Sequence, residues 1–197
     1  MLLHYEESKS TQTIVVRKPS IGYLDELCRL RCGGDLLEMD VFPNAKEITE
    51  SFGAYEAVWR YLDVDRNDPD VHVYCVGDGT TPRTGATFAY RSRWTVESID
   101  PAMGWKLKWA GIKRLRVQPY KVEQLGLAPR PRRSIIVAVH SHANLQACVR
   151  ILRGEHQTDV VAMECCVPLA LHRRPDVEYE DPKILSPKRK IAIWRRV

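Results

Sequence analysis

The sequence predicts an α/β protein: a doubly wound, Rossmann-like sheet with a helical extension ahead of it. Three observations predict this. Apolar runs rich in β-branched residues, "VHVYCV" (71–76), "SIIVAV" (134–139) and "DVVAMECC" (159–166), have the continuous character of parallel strands covered on both faces. Segments with helical periodicity alternate with these runs, the pattern of strand–helix–strand units. The chain of 197 residues is long enough for one good core and reads as a single domain, with residues 1–66 as the extension and 67–197 as the α/β core.

Each element follows from local chemistry. Ser20 to about Arg31 reads as a helix capped by Ser20, with Leu24, Leu27 and Cys28 on one face and Gly33-Gly34 ending it. Asn44 with Glu47 three residues on forms a capping box. Ile48, Phe52, Tyr55, Trp59 and Leu62 then recur at helical spacing, to about Tyr61. Val71–Val76 is the first strand of the core and 83–91 a short helix. "WTVESI" (94–99) and "KRLRVQ" (113–118) are further strands. After the strand at 134–139, His142 to Arg153 is amphipathic, with Leu145, Cys148, Val149 and Leu152 on one face. The strand at 159–166 and two more near Val177–Glu180 and Lys190–Trp194 complete the sheet. Two helices of the extension are expected to pack on its faces or edge.

The first core strand runs directly into Gly77-Asp78-Gly79-Thr80. Glycine there permits positive φ and lets a ligand lie against bare backbone. In open α/β sheets ligands bind outside the carboxyl ends of the strands, where strand order reverses. Asp100 ends the next strand, about 20 positions on, where an acid can bond a ribose hydroxyl. Gly77, Asp78, Gly79, Thr80 and Asp100 are therefore the candidate contacts to a nucleoside-containing ligand. The third glycine of a dinucleotide fingerprint is replaced by Pro82, and a P-loop lysine is absent.

This order resembles the class I S-adenosylmethionine-dependent methyltransferases, whose first motif is a strand ending in an acid followed by Gly-x-Gly-x-Gly, and whose second strand ends in an acid for the ribose. Cys75 stands at the first acid and Thr81 at the third glycine, with Gly85 arriving later. "IIVAVHSHANLQACVRIL" followed by "DVVAMECC" resembles the branch, which includes tRNA-modifying members, with His after the fourth strand and Cys-Cys after the fifth. His140, Asn144, Cys165 and Cys166 are the matching positions. The resemblance spans residues 71–166. It implies S-adenosylmethionine as cofactor, methyl transfer to RNA or another anionic polymer, and His140 as catalytic base or orienting residue. The Pro-Cys motif of cytosine-5 RNA methylation, the Asn/Asp-Pro-Pro-Tyr/Phe motif of amino-group methylation and the Asp of a ribose 2′-O-methylation tetrad are absent. A rival from another class is a methyltransferase-like binding or scaffold protein without turnover, engaging nucleic acid or a protein partner.

Charge bears on the partner. The formal net charge is +5. Residues 101–122 contain no acid but carry Lys106, Lys108, Lys113, Arg114, Arg116 and Lys121, interleaved with Trp105, Trp109 and Tyr120, and Arg130, Arg132 and Arg133 follow. Segments 106–121 and 130–133 are candidate RNA or DNA contacts bordering one face, against the alternative of a solvated rim. Trp105 and Trp109 read as packing residues rather than base platforms. No apolar run approaches the roughly 18 residues of a membrane span, so no membrane partner is expected. The start, "MLLHYEESKSTQT", lacks the apolar core of a secretory signal, which suggests a cytoplasmic or nuclear protein. The six cysteines read as reduced, mostly buried structural thiols, Cys165 and Cys166 included. His140, His142, Cys165 and Cys166 have residue types that suit zinc, but neither pair has zinc-finger spacing and no metal is expected.

Overall fold

A computed structural model describes residues 3–8, 11–16, 22–125, 130–166 and 171–197, the first two segments by their backbone. The extension is not wholly helical. It opens with an antiparallel hairpin, β1 (Leu3–Ser8) and β2 (Thr11–Val16). The β-branched run Thr13 to Val16 favours a strand, a signal that the polar character of the segment hides. Three helices follow: α1 (Tyr23–Arg29), α2 (Gly33–Glu38) and α3 (Ala45–Tyr61). Gly33 and Gly34 begin a helix rather than ending one. A Cβ on Gly33 would sit 2.2 Å from the Leu27 carbonyl oxygen, so the glycine permits the close turn between α1 and α2. The buried face of α1 is Tyr23 and Leu27, while Leu24 and Cys28 face solvent. On α3, Asn44 caps by accepting from the Glu47 N–H at 3.1 Å.

The core elements are β3 (Val71–Val76), α4 (Arg83–Arg91), β4 (Thr95–Ile99), β5 (Leu115–Gln118), β6 (Arg133–Val139), α5 (Leu145–Leu152), β7 (Gln157–Met163), β8 (Val177–Glu180) and β9 (Lys190–Trp194). They form a seven-stranded Rossmann-like sheet in the order β5-β4-β3-β6-β7-β9-β8. The five strands β3 to β7 are parallel; β9 runs antiparallel to β7 and β8. From β3 the chain builds outward through β4 and β5, then returns to lay β6 on the other side. The switch point is therefore between β3 and β6, with a crevice at their carboxyl ends.

Alternation along the central strands explains why they read as continuous apolar runs. Val71, Val73 and Cys75 of β3, with Ile135 and Val137 of β6, join the core beneath α1, α3 and α4. Tyr74 and Val76, with Ile136 and Ala138, join the opposite core against α5. The helical extension is part of the first core. Tyr23 Oη donates to Asp181 at 2.5 Å, and Ile184 packs where a Cβ on Gly53 would otherwise lie. Between β4 and β5 the connection is a single 3-10 turn, Leu107–Gly111, whose Trp109 is buried and donates its indole N–H to the Met39 carbonyl. Among the described residues no helix is long and apolar enough to cross a membrane.

Candidate functional site

A cavity of about 650 Å³ opens at the carboxyl ends of β3, β4 and β6, a size ordinary for a small-molecule site. Gly77, Gly79, Arg83, Asp100, Tyr120, Lys121, Val122, His140, His142 and Asn144 are among its walls. Gly77 and Gly79 both have positive φ, 75° and 78°. What closely approaches Gly77 is the chain itself: an added Cβ would meet Ser141 Oγ at 2.3 Å. Gly79 faces the cavity, and its N–H donates to Asp100 Oδ2 at 2.9 Å. Asp100 Oδ1 accepts from the Ala102 N–H at 2.7 Å. The glycine loop and the acid at the end of the next strand thus form one wall.

Asp78 and Thr80, sequence candidates for cofactor contacts, lie elsewhere. The Asp78 carboxylate is buried and turned into the protein. Oδ1 accepts from the Thr84 N–H at 3.0 Å; Oδ2 accepts from the Gly85 N–H at 2.9 Å and from the Ser98 hydroxyl at 2.6 Å. It satisfies orphan donors at the start of α4 and ties that helix to β4. Thr80 is exposed, and its carbonyl accepts from Gly104. Gly85 serves helix–strand packing, since an added Cβ would meet Leu115 and Ser98 side chains at 2.9 Å.

His140 lies past the end of β6 with φ 50°, in the left-handed region. Its N–H continues the ladder to the Met163 carbonyl at 2.8 Å. Nδ1 is 2.9 Å from the Glu164 carbonyl oxygen and Nε2 is 2.9 Å from Glu50 Oε1. Both ring nitrogens are thus engaged by the protein itself. The general-base role expected of His140 would require the ring to release one of these two partners. Glu50, on α3 and 1% exposed, escaped sequence reading because, between Thr49 and Ser51, it has the look of an ordinary exposed helix position. Burial pushes its carboxyl up, but His140 and Lys46 outweigh burial and hold it below its ordinary value. Beside it, Glu47 pairs with Arg83 at 2.5 Å and with Lys46 at 3.3 Å. A chain of charges therefore backs the cavity from Arg83 to His140.

His142, Cys165 and Cys166 meet at the rim. His142 Nε2 lies 3.1 Å from Cys165 Sγ and 3.2 Å from Cys166 Sγ, and the two sulfurs are 3.5 Å apart. Cys166 is exposed and Cys165 half-buried, because both lie just past Met163, where β7 ends. Only Cys75 and Cys148 of the six cysteines are buried, contrary to the sequence expectation.

The basic candidates do not share a face. Arg132 and Arg133 are at the amino end of β6, opposite the cavity. Arg133 pairs through Nη2 with the buried Asp159 at 2.8 Å, and Arg132 lies 3.9 Å from Asp70. A loop entering a parallel strand lies at the end opposite a loop leaving one, so Arg130–Arg133 share the amino end with Lys113 and Arg114, which enter β5, and lie opposite Lys121, which follows it. Arg114 has φ 66° and donates to the Ala89 and Ser92 carbonyls at 3.0 Å each. Lys106 and Lys108 both approach Asp40, and Arg116 is well exposed, 3.8 Å from Glu97.

No family model matches the chain, and no curated protein matches it. Solved structures do. A point mutant of MtNAS in complex with S-adenosylmethionine is 11% identical, covering 89% of this chain and 71% of that one, with TM-score 0.49. An S-adenosylmethionine-dependent O-methyltransferase from Thermotoga maritima is 13% identical (98% and 77% covered, TM-score 0.46). An rRNA methylase from Streptococcus thermophilus is 14% identical (79% and 99% covered, TM-score 0.44).

Proposed function

We propose that the cavity binds S-adenosylmethionine and that the protein is a methyltransferase. The observation that carries this reading is the shared wall of Gly79 and Asp100 at the switch point of the sheet. Each Asp100 oxygen accepts one backbone N–H and keeps a lone pair for a ribose hydroxyl. Arg83, beside the glycine loop, offers a cation to the carboxylate of the amino-acid part, and Ile99 and Val122 offer apolar walls to the base. When bound, the group supplies an electrophilic methyl on a sulfonium. The chain's contribution is alignment of an acceptor with that methyl. His140 acts as a positioning residue that fixes the turn carrying Ser141 to Asn144, and the acceptor is a group already nucleophilic without help from this ring.

The branch with His140, Asn144, Cys165 and Cys166 supports RNA or another anionic polymer as acceptor, in a cytoplasmic or nuclear setting. Lys121 at the cavity, with exposed Arg116 on the edge strand β5 that leads to it, would contact it. A binding protein without turnover is the second reading, favoured by the occupied ring nitrogens of His140. Isothermal titration with S-adenosylmethionine and S-adenosylhomocysteine tests the cofactor. Asp100→Ala should weaken binding more than about tenfold, the loss of charge-assisted hydrogen bonds worth roughly 1.5–3 kcal/mol. Unchanged affinity in a folded variant overturns the assignment. Single-turnover transfer of labelled methyl to cellular RNA and protein separates the two readings: tight binding with no transfer leaves the binding protein.

A further inference from the structure

We infer that His142, Cys165 and Cys166 form a zinc site with one open coordination position at the rim of the cavity. A tetrahedral zinc with Zn–S of about 2.3 Å and Zn–N of about 2.0–2.1 Å sets an imidazole nitrogen and a thiolate about 3.5 Å apart, and two thiolates about 3.8 Å apart. The corresponding separations here are 3.1, 3.2 and 3.5 Å. All three lie within about half an ångström of tetrahedral edges, so small side-chain rotations around an ion complete the geometry. All three donor atoms lie within 4.8 Å of one another.

The fold builds this convergence. β6 and β7 are parallel neighbours in register to Val139↔Met163. His140 extends the pairing by one bond and then turns left-handed, which carries the next residues back across the end of β7. His142 arrives over Cys165 and Cys166 as a result. The Lys188 ammonium donates to the Cys165 carbonyl at 2.6 Å, which holds that peptide and adds positive charge beside two thiolates. Two thiolates and an imidazole are soft donors that suit zinc, and the charge of the ion is balanced by the two sulfurs. With Cys166 and His142 exposed, an ion can enter from solvent. Three protein ligands leave the fourth position to water or a small exogenous donor, and His142 also lines the cavity.

The test uses the reduced full-length chain. Its zinc content is measured as purified, and cobalt is titrated into the metal-free protein. One ion per chain is expected, with thiolate-to-cobalt charge transfer in the near ultraviolet and the intense visible bands of a tetrahedral site. Cys165→Ser and Cys166→Ser should each diminish that charge transfer and weaken zinc at least about a hundredfold in competition with a chromophoric chelator, since even outer partners of a ligand cost 10–100-fold. Cys28→Ser, an exposed thiol on α1, should change neither. His142→Cys should keep the ion and strengthen the charge transfer, a gain no merely structural role would produce. Circular dichroism checks that each variant is folded. A spectrum without charge transfer, or one that survives both serine variants, overturns the proposal. So does a reduced chain that binds no ion but forms a Cys165–Cys166 disulfide on mild oxidation.

Discussion

Replacing Asp78 by asparagine separates a structural carboxylate from a ligand contact. The wild-type carboxylate accepts three hydrogen bonds from buried donors, one on Oδ1 and two on Oδ2. An amide keeps one oxygen. Its least costly placement puts that oxygen where Oδ2 was, retaining Gly85 and Ser98, and points the NH2 at the Thr84 N–H. One bond is lost and a buried donor is left unsatisfied, at roughly 1–3 kcal/mol. Loss of the negative charge at the start of the nine-residue α4 adds about 0.3–1 kcal/mol. The expected destabilisation is therefore about 1.3–4 kcal/mol. Urea unfolding should show it as a midpoint lowered by about 1 M at unchanged m. Asp78→Ala, with no acceptor at all, should be less stable still. Affinity for S-adenosylmethionine per folded molecule should stay within a few-fold, because the carboxylate faces away from the cavity. A variant with wild-type midpoint and abolished ligand binding would refute this reasoning and restore Asp78 as a ligand contact.

The other predictions concern buried charge. Glu50 has a depressed folded pKa, so its contribution is present above the unfolded value of about 4.3 and is lost as pH falls through the folded value. The stability difference between wild type and Glu50→Gln should therefore shrink as pH falls below about 4.3, as read by urea unfolding across a pH series. Arg133→Ala leaves the buried Asp159 without its cation and should cost about 3–5 kcal/mol, while Arg132→Ala should stay within about 0.5 kcal/mol. In fluorescence anisotropy with RNA, Lys121→Ala with Arg116→Ala should lower the log–log salt slope by about two units, and adding Arg114→Ala should lower it little further. A third full unit from Arg114 would show that its guanidinium leaves the Ala89 and Ser92 carbonyls to bind phosphate.

The sheet was legible because both of its faces are covered. Val71–Val76 and the helix 83–91 match the structure to the residue, since a valine-rich apolar run ending at Gly77 and a proline ahead of the helix leave few alternatives. The hairpin at 3–16 was missed because a two-stranded ribbon carries a weak local signal. Leu24 and Cys28 were assigned to the core from helical spacing alone, whereas the direction in which α1 docks, set by the Tyr23–Asp181 bond, chooses Tyr23 and Leu27. Asp100 was readable from its distance along the chain to the glycine loop. Asp78 was not, because sequence shows that an acid sits in a loop but not which way it turns.

Position 140 shows why the rest of the site was hidden. A histidine at the end of a central strand suggests a free side chain over the ligand. The left-handed φ there carries a steric cost for any residue with a Cβ, and a glycine would avoid it. A histidine instead offsets the cost with hydrogen bonds at both ring nitrogens, with the Glu164 carbonyl on the neighbouring strand end and with Glu50 on a helix 90 residues away. Neither partner is visible from local pattern. The same turn delivers Ser141 against Gly77 and His142 against Cys165 and Cys166. One strained residue therefore fixes both the glycine wall of the cavity and the cluster at its rim. Local rules are expected to fail at strained positions of this kind, which is why the two groups of residues were read as separate motifs and are one construction.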